Sequence, residues 1–430
     1  MLVDAEAFRA LGFHPACVVA AITVQDTERV WRVMGVDPGL MKEQAEAVFK
    51  DLDVAAVKVG VLWSRENVEA TAKLLQSRLD LPRVVDPVLR AKRGERLIEE
   101  EALDTLIKKL LPVASVATPN AEEASELTGV EVRSEEGVEE ALRALNKMGV
   151  EAPVVKGWVR SGVAVDAVLL KGRVHFLEAE ALGEVRGSGC AFSAALAAYL
   201  ARGLSVLDAL REARRFTRKV LRAAPRVGGG FPVADPATWL SLAEEKLRTL
   251  EEARRGVSLL EKHPELAQLM PEVRMNLAVA PMSAEEPGDV VGVEGRITVV
   301  GGSLRASGHP WFGASSHLAR LLLAVRRRLP AIKAALNIKY SPEVLEACRR
   351  AGLKLARFDR REEPREVKEV EGASMEWGVE RALRSVEGEV DAIYDEGAEG
   401  KEAMIRLLGR DVEEVVEKAV KVVEQLGKGF

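Results

Sequence analysis

The chain has 430 residues, more than one ordinary domain holds, and two domains are the expectation. Hydrophobic residues make up 47% and charged residues 30%, enough for packed cores beneath a polar surface, and a net charge of −5 with both signs interspersed argues against bulk nucleic-acid binding. The opening residues carry no basic-then-apolar leader, no run approaches the roughly 18 apolar residues of a bilayer span, and Cys17, Cys190 and Cys348 are too scattered for a disulfide framework or a CxxC metal site, so a cytoplasmic protein with no membrane partner is expected.

Short β-branched runs at 17–23, 55–61, 83–87, 115–118, 152–156, 164–170 and 173–178 are predicted as strands. Helical periodicity falls between them at 41–51, 64–78, 100–111, 120–128 and 134–147. That alternation predicts a mainly parallel sheet covered by helices, with a hairpin around Lys171-Gly172 near its edge. Gly187-Ser188-Gly189-Cys190 then leads into an alanine-rich helix, and Gly228-Gly229-Gly230 with Pro232 and Pro236 closes the unit. A charged amphipathic helix follows at about 237–261, then a mixed apolar stretch at 264–279 and a strand at 288–300. Helices at 315–328, 342–351, 377–384 and from about 412 alternate with strands at 334–338, 354–358 and 391–394, which predicts a second α/β domain. The expected division is therefore 1–235, a linker helix at 236–260, and 261–430.

The chemistry concentrates at a few turns. Gly187, Ser188 and Gly189 stack backbone N–H groups at the positive end of a helix dipole, a cradle for phosphate. Cys190 in the first turn feels the same field, which favours its thiolate. A small-residue turn packing a helix on a sheet has the same sequence. Asp86 and Lys156 end predicted strands and Asn120 follows one, at the carboxyl ends where open α/β sheets bind ligands, although Asn120 is equally a helix N-cap. In the second half, Ser315 or Ser316 can cap a helix on which His317 and Arg320 share a face. Asn337-Ile338-Lys339-Tyr340 and Phe358-Asp359-Arg360 end strands. The acidic and basic loop from Tyr394 to Arg406, with Asp395, Glu399 and Lys401, suits a polyphosphate held with a divalent ion. His317 alone reads more readily as an ordinary helix residue than as a catalytic one, and Arg360 reads also as one half of a surface ion pair.

Thr23-Val24-Gln25-Asp26-Thr27, Val57-Lys58-Val59-Gly60, Asp86-Pro87-Val88, Thr118-Pro119-Asn120 with Glu123-Ala124, Lys156-Gly157 and Gly187-Ser188-Gly189-Cys190 together resemble the hydroxymethylpyrimidine/phosphomethylpyrimidine kinases, over about residues 1–230. The resemblance implies a ribokinase-like three-layer α/β/α domain. It makes Cys190 the base that deprotonates the hydroxymethyl group and the amides of Gly187, Ser188 and Gly189 the anion hole. Asn120 and Glu123 would organise Mg²⁺ and phosphate, with Lys156 and Asp86 near the nucleotide phosphates and metal. Asp4 and Gln25 would bond the aminopyrimidine, with Val61 and Val88 against its ring. The family opens with an apolar strand and a Gly-Ser-Asp loop before the point that Val3-Asp4 resembles, so the first strand is expected to be missing. The family's Met is Val61 here, its His before the anion loop is Arg186, and its Gly-Gly-His is Gly157-Trp158-Val159.

Over about residues 260–430, Gly-Ala-Ser-Ser-His-Leu-Ala-Arg, Asn-Ile-Lys-Tyr, Phe-Asp-Arg and Gly-Lys-Glu resemble the archaeal-type ThiN thiamine-phosphate synthase domain. The two resemblances imply a bifunctional enzyme of thiamine biosynthesis. Its substrates would be ATP with Mg²⁺, hydroxymethylpyrimidine (phosphate) and thiazole phosphate, and it would be a homodimer. Arg320, Lys401 and Arg406 are the candidates to meet pyrophosphate, Arg360 and Lys339 to hold the thiazole phosphate, and Asn337 and Ser316 to orient substrate. His317 is a further catalytic candidate, and Asp395 and Glu123 are the candidate metal ligands. The alternatives are a pyridoxal-type kinase with an unrelated tail, and a degenerate kinase scaffold carrying a thiamine-phosphate sensor.

Overall fold

In the computed structural model, which describes every residue except 365, 368–371, 385, 387, 399 and 428–430, the chain divides into two units, Met1–Ser241 and Leu242–Phe430. The first is built on a six-stranded sheet. Val57–Val59, Arg83–Val85, Val116–Ala117 and Ala152–Arg160 run parallel, and Val163–Leu170 and Arg173–Glu180 continue antiparallel at one edge. Side chains alternate across a strand. Val84, Val116, Val154 and Val168 therefore pack against helices Leu2–Ala10, Ser188–Ala201 and Val206–Arg222. Their neighbours Val85, Ala117, Val155 and Ala167 pack on the other face, against Arg65–Gln76, Glu100–Thr105, Ala121–Thr128 and Glu135–Lys147. The result is three layers, α/β/α. Lys171 and Gly172 turn the edge hairpin with φ of 48° and 79°, the left-handed pair that matches strand twist.

The strand predicted at 17–23 is corrected. Only Ala21–Gln25 is extended, and it pairs with Val30–Gly35 in a separate two-stranded sheet rather than joining the main one. Its apolar residues Ile22 and Val24 are exposed, together with Trp31 and Met34. Asn67, fully buried, donates to the carbonyls of Ala20, Val36 and Leu62 and so ties down the base of this hairpin.

The second unit has a mixed seven-stranded sheet in the order Pro310–Phe312, Val291–Val293, Leu277–Val279, Ala334–Lys339, Met404–Gly409, Ala392–Asp395, Leu355–Arg357. Leu336, Ile338, Ile405 and Leu407 face helices Pro342–Arg350 and Val412–Leu426. Ala335, Ile393 and Leu408 face Ser316–Arg326 and Ala373–Arg384. The segment expected as a linker helix is Thr238–Glu261, and it is more than a linker. Leu250, Ala253, Val257 and Leu260 enter the second core, and a Cβ on Gly256 would lie 2.6 Å from Leu277. The predicted strand at 288–300 is two strands, Val291–Val293 and Ile297–Val300, broken at Gly295 and Arg296, both with positive φ. Among the described residues no helix is long and apolar enough to cross a membrane.

Candidate active sites

Gly187 adopts φ 83° at the N-cap of Ser188–Ala201, a conformation that favours glycine and aims the first helical amides outward. Those amides have no acceptor within the helix, which suits an anion. Cys190, half-buried in this first turn, lines a cavity of about 1060 Å³. Asp4, Gln25, Val61 and Val88, the four residues expected around a pyrimidine, line the same cavity. The structure thus brings the expected base, cradle and ring pocket together.

The thiolate expectation is corrected. Burial pushes the Cys190 thiol above its ordinary range, against the pull of the Lys58 ammonium, so the resting group is the thiol. Lys58 lines the same cavity. It is nearly buried and pairs with Asp4 at 2.6 Å. Burial alone would lower its pKa, but the Asp4 and Asp86 carboxylates hold it protonated. A lysine amid a β-branched strand with a carboxylate elsewhere in the same cavity is the signal that pointed to it.

Next to the cradle lies a second cluster. Lys156 is ion-paired to fully buried Asp86, and Thr118 Oγ1 and Ser193 Oγ donate to that carboxylate at 3.3 and 3.2 Å. A Cβ on Gly189 would stand 3.2 Å from the Lys156 ammonium, so the lysine reaches the anion loop. Asn120 is indeed an N-cap. Its Oδ1 accepts from Glu123 N, and Glu123 Oε2 accepts from Asn120 N, both at 2.9 Å. The cap thereby fixes the Glu123 carboxylate, whose pKa burial raises to about 7 although Lys156 opposes it. A buried carboxylate beside a buried ammonium and a backbone cradle fits a phosphate–Mg²⁺ pair.

In the second unit, Asn337, Asp395 and Arg406 fall at alternate strand positions on the face covered by Ser316–Arg326 and Ala373–Arg384. Asp395 is wholly buried. Arg360 Nε and Nη2 donate to it at 2.6 and 3.3 Å, and Arg406 Nη1 at 2.8 Å. Both guanidiniums lie over the Phe358 ring, at 5.3 and 6.0 Å. Arg406 Nε donates to His317 Nε2 at 3.1 Å. His317 keeps an exposed edge, but desolvation at the bonded nitrogen and the Arg406 and Arg360 guanidiniums lower its pKa, and the donation from Arg406 to Nε2 places the proton of the neutral ring on Nδ1.

Several expectations change here. Arg406 is on a central strand, 1% exposed, rather than in a loop, and its guanidinium is bonded to His317 and Asp395. Asp395 is surrounded by two guanidiniums and is not available as a metal ligand. Among the described residues no group of three His, Cys, Asp or Glu side chains is arranged for a metal. Asn337 is engaged by its neighbours: Oδ1 accepts from Asn276 N at 2.6 Å and Nδ2 donates to Arg274 O at 3.0 Å. Neither Ser315 nor Ser316 caps its helix through a side chain, which leaves Ser316 exposed. Arg320 packs against Gly372. Lys401 lies 3.1 Å from Ser374 Oγ and 3.6 Å from buried Glu363, a carboxylate the sequence did not single out. Lys339 ends strand Ala334–Lys339, and Glu399 lies outside the described residues.

The comparisons follow the same division. Residues 1–234 match a family model described as phosphomethylpyrimidine kinase, and residues 252–421 match one described as thiamine-phosphate synthase ThiN. The bifunctional thiamine biosynthesis protein ThiDN of Methanocaldococcus jannaschii is 29% identical over 98% of this chain and 94% of its own. The thiamine-phosphate synthase ThiN of Methanothermobacter thermautotrophicus is 43% identical over 41% of this chain and 93% of its own. The ADP complex of Bacillus subtilis pyridoxal kinase superposes with a TM-score of 0.51 at 26% identity, covering 56% of this chain and 93% of that one.

Proposed function

Because the chain belongs to the phosphomethylpyrimidine kinase family through its first unit and to the ThiN thiamine-phosphate synthases through its second, we propose that it carries out two consecutive steps of thiamine biosynthesis, as follows. The first unit is a ribokinase-like kinase that phosphorylates hydroxymethylpyrimidine and its monophosphate. The second couples the resulting diphosphate to thiazole phosphate and releases pyrophosphate.

In the first unit the pyrimidine lies between Val61 and Val88, with Asp4 and Gln25 on its polar edge. The Cys190 thiol first releases its proton to solvent, Lys58 stabilises the thiolate so formed, and that thiolate takes the proton of the attacking hydroxyl. The amides of Gly187, Ser188 and Gly189 receive the negative charge of the transferring phosphoryl group, and Lys156, held by Asp86, lies beside it. ATP is the phosphoryl donor in this reading. Glu123 would hold Mg²⁺, which supplies charge neutralisation between the phosphates.

In the second unit, ionising a CH₂–O bond builds negative charge on pyrophosphate. Arg320, Lys401 and Lys339 are the cations proposed to meet it, while Asp395 fixes Arg360 and Arg406, and Arg406 fixes His317. Two copies are proposed to associate, since the hairpin leaves Ile22, Val24, Trp31 and Met34 exposed, and light scattering in solution tests this.

The observation that carries the kinase reading is the opening of Cys190 and Gly187 onto the cavity that also holds Asp4 and Gln25. The test supplies MgATP, hydroxymethylpyrimidine and thiazole phosphate and measures thiamine phosphate. Cys190→Ala should abolish product from these substrates but leave product formation from the pyrimidine diphosphate. No product from the intact chain would reject the reading, as would preferential phosphorylation of pyridoxal.

A further inference from the structure

The cavity around Cys190 carries more positive charge than recognition of a neutral ring needs. Lys58, Arg90, Lys92 and Arg186 all line it. Lys58 is matched to Asp4 at 2.6 Å, Arg90 to Glu126 at 3.1 Å, and Lys92 lies 4.0 Å from Glu184. Arg186 differs. Its guanidinium donates to a neutral acceptor, the Gln25 amide oxygen, and among the described residues no carboxylate oxygen lies within 4.0 Å of it. Asp26, the acid that feels its charge, is engaged by Glu28 N and Arg29 N at 2.8 Å and by Trp31 Nε1 at 3.0 Å.

The backbone holds Arg186 at the rim of the anion cradle. Arg186 N donates to Pro232 O at 2.8 Å, and Ala234 N donates to Arg186 O at 2.9 Å. The next residue is Gly187, the N-cap whose positive φ starts the cradle. An only partly buried guanidinium is thus fixed one residue from the phosphoryl site, with its side chain bonded to an amide expected to read the ring.

Starting from the kinase reading above, we infer that Arg186 sets substrate preference, favouring the phosphorylated pyrimidine alcohol, a dianionic monoester, over the neutral alcohol. A neutral hydroxymethyl group gives the guanidinium nothing beyond the bond it already makes to Gln25. A monoester offers oxygens for charge-assisted, bidentate bonds. Transfer of the guanidinium to those oxygens also releases the Gln25 amide to bond the ring. Lysine at this position would keep the charge without the fork.

The test measures initial-rate kcat/KM for the alcohol and for its monophosphate in the intact chain and in Arg186→Gln and Arg186→Lys. Losing charge-assisted bonds to a phosphate should lower the ratio of monophosphate to alcohol kcat/KM by about 10- to 100-fold in Arg186→Gln. Arg186→Lys should fall between, and added salt should raise the monophosphate KM more in the intact chain than in Arg186→Gln. Calorimetry of the same preparations, read at the transition of residues 1–241, reports whether each variant is intact. Parallel loss on both substrates, or an unchanged ratio, overturns the assignment of Arg186 alone. An intact chain that phosphorylates neither substrate overturns the kinase reading and this assignment with it.

Discussion

Replacing Asp395 with asparagine tests the organisation of the second unit most directly. The carboxylate is wholly buried and receives three guanidinium donors from Arg360 and Arg406, while Gly397 N donates to it at 3.0 Å. Asparagine keeps the shape but removes the charge, which leaves two nearly buried guanidiniums facing each other. Breaking a buried ion pair from one side costs about 3–5 kcal/mol. In a unit of this size each kcal/mol lowers the melting temperature by about 2–4 °C, so a fall of at least about 6 °C is expected in the transition of residues 242–430. Calorimetry of the full chain reads it. The acid side adds a signature. Burial alone would raise the Asp395 pKa, but Arg406 and Arg360 bring it below the ordinary value. The stability this confers is present above the unfolded pKa near 3.8 and is lost as pH falls through the lower folded value. Asp395→Asn should therefore be destabilised at pH 7 and lose less than the parent on acidification. A melting temperature unchanged at pH 7 would show that the guanidiniums do not depend on this carboxylate, and the reasoning would fail.

Lys58→Met removes the cation beside Cys190, so the pH midpoint for alkylation of Cys190, followed on its own peptide because Cys17 is exposed, should rise by about one unit or more; an unmoved midpoint rejects the pairing. Glu123, raised to about 7 by burial, holds its proton more tightly folded than unfolded, so its contribution to stability falls as pH rises from about 4.5 through 7. Glu123→Gln should flatten that slope in urea titrations between pH 5 and 8, and a slope identical to the parent's counts against it. Gly256→Ala places a methyl 2.6 Å from Leu277 Cδ2 and 2.9 Å from Val412 Cβ. Overpacking of this kind costs about 1–3 kcal/mol, visible as a lower melting temperature, and a neutral or stabilised variant would show that the helix can shift away.

The layers of the first unit were legible because each short strand carries apolar residues on both faces and each helix an apolar stripe. Val84-Val85 and Val154-Val155 are such pairs, one residue for each layer. The anion loop was legible because glycine at a positive φ leading into a small-residue helix is a local signal. What escaped is what long-range pairing decides. Residues 404–406 read as the end of a glycine-spaced loop, yet they open Met404–Gly409, a buried central strand. An arginine is tolerated there only because register sets it opposite Asn337 and because Asp395, on the next strand, neutralises it. No local pattern announces that partnership. The same limit explains Cys190. The helix dipole is visible in the sequence, but the desolvation that outweighs it depends on how the surrounding residues close over the thiol.

The two units meet a common demand, stabilising negative charge that develops on phosphate, with different donors. Backbone amides at 187–189 carry no side-chain entropy and cannot be neutralised by a proton, which suits a small phosphoryl group passing between fixed oxygens. Pyrophosphate is larger and more highly charged, and it has to leave. In the proposed reaction side-chain cations such as Lys401, with rotatable stems, could follow it, whereas amides cannot. In the proposed synthase reaction the buried Arg360–Asp395–Arg406 arrangement would act through His317, as follows. Of its two positive charges one is cancelled by Asp395, so a net positive charge remains beneath His317 and keeps that imidazole neutral. A neutral imidazole donates a hydrogen bond from Nδ1 without adding a charge that would hold the departing anion. Restoring an imidazolium there would strengthen pyrophosphate binding and slow its release, which is the opposite of what a synthase requires.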